Sequence, residues 1–102
     1  MKNKFILNFT TTGMIPTREI TPHVPISPGR IIEEVLEAAE LGVNMVHLHA
    51  REHDSGISTY KKEVYAEIIS GIRCKNKDLV LCVSTSGRDY FEFEKRSEVL
   101  DL

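Results

Sequence analysis

Three short apolar runs, at residues 5–9, 43–49 and 79–83, are separated by two stretches whose apolar residues recur at helical spacing. That alternation limits the fold more than any other feature of the chain. Strand-like runs that alternate with helical patterns are the signature of βαβ crossovers, in which parallel strands share one sheet and helices cover it. The first helical stretch opens with Ser27 as N-cap and Pro28 at the first helical position. It carries Ile31, Ile32, Val35, Leu36 and Ala39 on one side, Glu33, Glu34, Glu37 and Glu40 on the other, and stops at Gly42. The second covers about residues 60–73, with Val64, Tyr65, Ile68, Ile69 and Ile72 inward. The third apolar run is nearly continuous, which predicts a strand covered on both faces. Residues 93–102 start a third helix, residues 51–58 form a polar turn around Asp54-Ser55-Gly56, and residues 14–28, which hold all four prolines, form an extended loop.

The chain has 102 residues, enough for at most one domain. Three parallel βα units leave two open edges and one uncovered sheet face, whereas a barrel of eight such units takes about 250 residues. The expectation is therefore the first three units of something larger. A hydrophobic fraction of 41% against 27% charged residues describes a globular chain. The net charge of −2 offers no basic footprint for nucleic acid. No apolar run approaches the ~20 residues that span a bilayer, and the apolar part of MKNKFILNF is too short for a signal peptide. Cys74 and Cys82 have no metal or redox spacing, which suggests reduced thiols in a cytoplasm.

In parallel α/β folds, chemistry gathers where strands end and βα loops begin. All three runs end in polar clusters: Thr10-Thr11-Thr12-Gly13, His47-Leu48-His49-Ala50-Arg51 and Ser84-Thr85-Ser86-Gly87-Arg88. His47 and His49 are two apart, so a strand points both to one face and sends Leu48 to the helix layer. Two imidazoles so placed can share one cation at the usual Zn–N distance of ~2.0–2.1 Å, although a catalytic zinc takes a third protein ligand. The alternative is a pair of hydrogen-bonded histidines lining the sheet. Arg51 is either a bidentate anion ligand or a solvated surface arginine. Ser84, Thr85, Ser86 and Gly87 offer hydroxyls and backbone N–H groups to a carboxylate, or form an ordinary loop and helix cap. His53 and Asp54 read as exposed turn residues, and His23 has no visible partner. No phosphate-binding glycine loop, nucleophile elbow or zinc-finger spacing is present.

Taken together, Thr12-Gly13, Thr21-Pro22-His23-Val24-Pro25, Ser27-Pro28, Ala38-Ala39-Glu40-Leu41-Gly42, His47-Leu48-His49-Ala50-Arg51-Glu52 with the later Gly56, and Ser84-Thr85-Ser86-Gly87-Arg88 carry a family likeness over essentially the whole chain. The sequence resembles the N-terminal third of the beta-keto acid cleavage enzymes (3-keto-5-aminohexanoate cleavage enzyme-like). The resemblance implies a zinc-binding, homo-oligomeric TIM barrel, of which residues 1–102 are the N-terminal part of one domain. The implied reaction converts a beta-keto acid and acetyl-CoA into acetoacetate and a new acyl-CoA. It also implies that His47 and His49 are zinc ligands and that Ser84, Thr85, Ser86 and Gly87 hold the substrate carboxylate. In the family a glutamate ligand, the general base and an arginine lie on later strands, so the 102-residue chain alone is expected to be inactive. Members that act on an amino-bearing substrate carry a glutamate where this chain has Ile15, which predicts a substrate with no cationic amine there. Two other readings stay open: a metal-dependent barrel hydrolase, and a non-catalytic piece that assembles with another chain through its open edges.

Overall fold

The computed structural model of the chain describes residues 4–102. Strand β1 (Asn8–Thr10) is followed by helix α1 (Pro28–Glu40) and strand β2 (Met45–Leu48). Two very short strands, β3 (Ala50–Arg51) and β4 (Ser58–Thr59), come next, then α2 (Lys62–Lys75), β5 (Val80–Val83) and a short α3 (Phe93–Arg96). A 3₁₀ turn over Glu98–Asp101 ends the series. β1, β2 and β5 form a parallel sheet with β2 in the middle. The mixed α/β order with parallel strands is the one the alternation predicts.

Register decides which side chains share a face. Phe9, Val46 and Leu81 lie level with one another, as do Leu48 and Val83. This set turns toward the helices, where Val46 and Leu48 are fully buried with Ile31, Val35, Tyr65, Ile68 and Ile72. The other face carries Thr10, His47 and Cys82 at one level and Asn8, Met45 and Val80 at the next. Val80 is 50% exposed and Cys82 is exposed. The expectation of a strand covered on both faces is thus corrected: within the described residues β5 is covered only on its helix side.

α1 begins as its sequence dictates. The Ser27 hydroxyl accepts from the Arg30 N–H at 3.3 Å, which satisfies one of the free donors of the first turn. At the other end Gly42 adopts φ +110°, where a Cβ would be strained. Its N–H donates to Ala39 and that of Val43 to Ala38, both at 3.1 Å. This is the double C-terminal closure that turns the chain directly into β2. α2 has no side-chain cap of its own; instead Glu98 accepts from the Lys62 N–H at 3.0 Å, 36 residues away.

Other departures from the sequence expectation have local causes. Residues 5–7 lie outside β1, although the Leu7 carbonyl accepts from the Asn44 and Met45 N–H groups at 3.3 Å, and the Asn44 side chain also binds this segment. Its Oδ1 accepts from Leu7 N–H at 2.8 Å and its Nδ2 donates to the Phe5 carbonyl at 3.2 Å. The region expected as a polar turn is a small hairpin, with Ala50 opposite Thr59 and Arg51 opposite Ser58. The third helix is a single turn, α3, followed by the 3₁₀ segment that buries Val99.

Arg51 is the largest wholly buried side chain, at 1% exposure. Its Nε and Nη2 donate to the Gly13 carbonyl at 3.3 and 3.0 Å, Nη2 donates also to Pro16 at 2.8 Å, and Nη1 donates to Gly56 at 2.8 Å. A single planar fork therefore ties the loop after β1 to the tip of the hairpin. Replacing Arg51 by Met leaves those carbonyls without their donor and is expected to lower stability by roughly 2–4 kcal/mol. Urea unfolding of Arg51→Met checks this. Arg51→Lys should recover only part, since an ammonium cannot span three carbonyls.

Candidate functional site

The site begins with the pleat of β2. Leu48 is held in the core, so the residues on either side of it, His47 and His49, emerge on the opposite face. Their ring centroids lie 4.9 Å apart with the planes inclined at 52°. The expected juxtaposition is therefore present. His49 Nδ1 is buried and has no hydrogen-bond partner among the described residues. A buried polar atom left unpaired is uncommon in a folded chain, and a cation is one partner that would satisfy it. Burial first, then the neighbouring His47 and Arg51 charges, hold His49 down at about 4, so its ring is neutral at pH 7. A neutral imidazole is the form that binds a metal. Within the described residues no third His, Cys, Asp or Glu completes a cation-binding group. The pair fits part of a zinc shell, two of the three protein ligands a catalytic zinc usually takes.

His49 opens onto a cleft of about 480 Å³ whose other walls are Met14, Ile15 and Pro16 from the loop after β1, and Ser86 and Arg88 from the loop after β5. The loop after β5 is built from serine turns. The Ser84 hydroxyl accepts from Ser86 N–H at 3.2 Å, and the Ser86 hydroxyl accepts from Arg88 N–H at 3.3 Å. Each hydroxyl keeps its own O–H for a ligand. Ser84 lies beside His49 in a smaller recess that also contains Tyr65 and Tyr90, and Thr85 is exposed. Gly87 leaves room for Arg96, since a Cβ there would stand 2.6 Å from Nη1 of that residue.

Arg51, expected as either an anion ligand or a solvated arginine, is placed as a buried brace. Four of its five N–H groups bind carbonyls. Burial pulls its guanidinium below the usual value, and Asp89 opposes this. Thr12, in the first polar cluster, is 4% exposed and donates to the Pro25 carbonyl at 2.8 Å, which fixes the proline loop. His53, which stands 3.6 Å from Glu67, and Asp54 are exposed, as the sequence suggests, and His23 is exposed as well.

Two functional features escape sequence reasoning. Asp89 accepts a hydrogen bond from the Ser58 hydroxyl, and Tyr90 donates to the Ser58 carbonyl at 2.9 Å while its ring meets that of Tyr60 edge-on at 4.8 Å. The hairpin thus clamps the serine loop. The second is Arg88, which supplies the charge in the cleft where Arg51 was expected. The Asp54-Ser55-Gly56 turn marks the tip of the hairpin in the sequence, but its two-residue strands carry no periodic signal.

The model of the beta-keto acid cleavage enzyme family matches residues 4–102, so the chain belongs to that family. It is 33% identical to the 3,5-dioxohexanoate:acetyl-CoA acetone transferase of Paraburkholderia graminis, over 93% of this chain and 30% of that protein. It is 33% identical to the 3-oxoadipate:acetyl-CoA acetyltransferase of Cupriavidus necator, over 86% of this chain and 31% of that protein. The 3-keto-5-aminohexanoate cleavage enzyme of Fusobacterium nucleatum is 36% identical over 85% of this chain and 32% of its own length. The chain therefore spans about a third of these relatives. Within the described residues no helix is long and apolar enough to cross a membrane.

The depressed His49 gives a stability prediction. An unfolded histidine takes its proton near 6.5, whereas His49 in the fold resists until about 4. The unfolded state binds more protons between these values, so stability holds above 6.5 and declines as pH falls toward 4. The urea midpoint is expected to drop between pH 7 and pH 5, and to drop less in His49→Gln.

Proposed function

We propose that this beta-keto acid cleavage family member contributes the first three βα units of a TIM barrel, and that the whole protein exchanges a beta-keto acid with acetyl-CoA. In that exchange the bond between carbons 2 and 3 of the keto acid breaks and carbon 2 joins the acetyl carbon. The products are acetoacetate and the acyl-CoA of the remaining fragment. The observation that carries the reading is the paired histidines beside the serine loop, in a chain matched by the family model over residues 4–102.

His47 and His49 would hold zinc, the second through a ring kept neutral by burial. When bound, zinc supplies Lewis acidity toward the keto oxygen and the enolate charge of a carbon–carbon exchange. The hydroxyls of Ser84 and Ser86, with the backbone of Thr85 and Gly87, bind and orient the substrate carboxylate. Met14 and Ile15 form an apolar wall that excludes water and gives an ammonium no countercharge. Arg51 positions this wall by holding Gly13 and Pro16. The remaining zinc ligand and base belong to later strands, the assembly is a homo-oligomer, and the free thiols Cys74 and Cys82 are in keeping with a cytoplasmic location.

Formation of acetoacetate from acetyl-CoA and a beta-keto acid by the whole protein tests the reading; hydrolysis of acetyl-CoA without acetoacetate contradicts it. The 102-residue chain alone is expected to make no acetoacetate. It should bind Zn²⁺ weakly, shifting the ring resonances of His47 and His49 together, and His47→Ala should remove the shift at His49. An Ile15→Glu variant of the whole protein is expected to gain activity toward an amino-bearing keto acid relative to an uncharged one.

A further inference from the structure

We propose that Arg88 selects beta-keto acids with a second acidic group, at the end remote from the carboxylate held by the serine loop; this rests on the exchange reading above. Among the described residues Arg88 is the only permanently charged side chain lining the cleft beside His49. Its side chain is exposed, with no hydrogen bond or ion pair to any described residue, while its backbone N–H is fixed to the Ser86 hydroxyl at 3.3 Å. The turn therefore holds the Cα in place and leaves the guanidinium free to close on a ligand. The adjacent carboxylate, Asp89, is engaged by Ser58, and does not pair with Arg88. Met14, Ile15 and Pro16, which line the same cleft, have no charge.

The cleft thus has an apolar wall in Met14, Ile15 and Pro16, with the Ser86 hydroxyl and the Arg88 guanidinium as its polar groups, and it adjoins through Met14, His49 and Ser86 the recess that Ser84 and Arg96 line. In this proposal one carboxylate sits in the recess on the hydroxyls of Ser84 and Ser86, where Arg96 also lies, and the methylenes run along Met14 and Ile15 into the cleft. A second carboxylate then meets the guanidinium, whose fork matches carboxylate geometry bidentately. A cationic tail is repelled, and an uncharged tail gains nothing from Arg88.

Two acids of equal length isolate the effect: 3-oxoadipate, with two carboxylates, and 3-oxohexanoate, with one. Each is titrated into the 102-residue chain, into Arg88→Met and into Arg88→Lys, following the Arg88 Nε–H resonance and the amides of residues 84–87. The chain is expected to bind 3-oxoadipate at least about tenfold more tightly, the scale of one added charge-assisted contact. Arg88→Met should abolish the preference and Arg88→Lys should keep part of it. Equal affinities in the parent chain, or a preference unchanged in Arg88→Met, overturn the proposal while the shifts at residues 84–87 uphold carboxylate binding there. If neither acid moves those amides, the assignment of the serine loop falls with it. A shift of Arg88 by coenzyme A at concentrations where 3-oxoadipate leaves it unmoved assigns the arginine to phosphate, and overturns the proposal too.

Discussion

The candidate site depends on the buried guanidinium of Arg51. The loop after β1 and the tip of the β3–β4 hairpin have no ladder in common, and each presents carbonyls toward the interior. Arg51 answers both, through bonds of 2.8–3.3 Å to Gly13, Pro16 and Gly56. A buried charge is tolerated where its donors are satisfied, and here only one N–H is left over. The consequence reaches the cleft, because Gly13 and Pro16 flank the Met14 and Ile15 that form its apolar wall. A residue that touches no substrate in this reading therefore sets the width of the space where substrate would lie.

From that brace the remaining walls follow in sequence. Leu48, fixed in the core, forces His47 and His49 onto the other face, and the chain then enters the hairpin that carries Arg51. The hairpin in turn receives Asp89 and Tyr90, and so holds the serine loop against the histidines. Three strand ends that are distant in sequence are locked to one another by two polar clamps. Positioned groups of this kind avoid reorganisation during a reaction, which is how a site of few residues becomes effective. The sheet face bearing Thr10, His47 and Cys82 also has little cover within the described residues, in keeping with a chain that spans about a third of its relatives.

The element order, the capping of α1 and the shared face of the histidines were legible because each rests on local periodicity or on neighbours within a few residues. Ser27 needs only Arg30, and Gly42 only the last turn of its helix. The hairpin was hidden by its size, since two-residue strands have no period to detect. The start of β1 was not legible either, since residues 5–7 are held partly by the Asn44 side chain, a contact 37 to 39 positions away. The burial of Arg51 was hidden for a similar reason. Arg51 and Arg88 each follow a polar strand end, and nothing adjacent in the chain tells which one the fold buries.

The sequence by itself determined the alternation of strands and helices, the polar character of three strand ends and the pairing of His47 with His49 across Leu48. These follow from the two-residue pleat and the 3.6-residue turn, which act through the nearest neighbours in the chain. Only the tertiary structure decided that Arg51 is a brace, that Arg88 lines the cleft, and that Asp89 and Tyr90 clamp the serine loop. Apart from the Arg51–Gly56 bond, five positions apart, the hydrogen bonds of the brace and the clamp join residues 31 to 38 positions apart. Whether such groups meet depends on how the loops close over a shared core, so no local pattern records it.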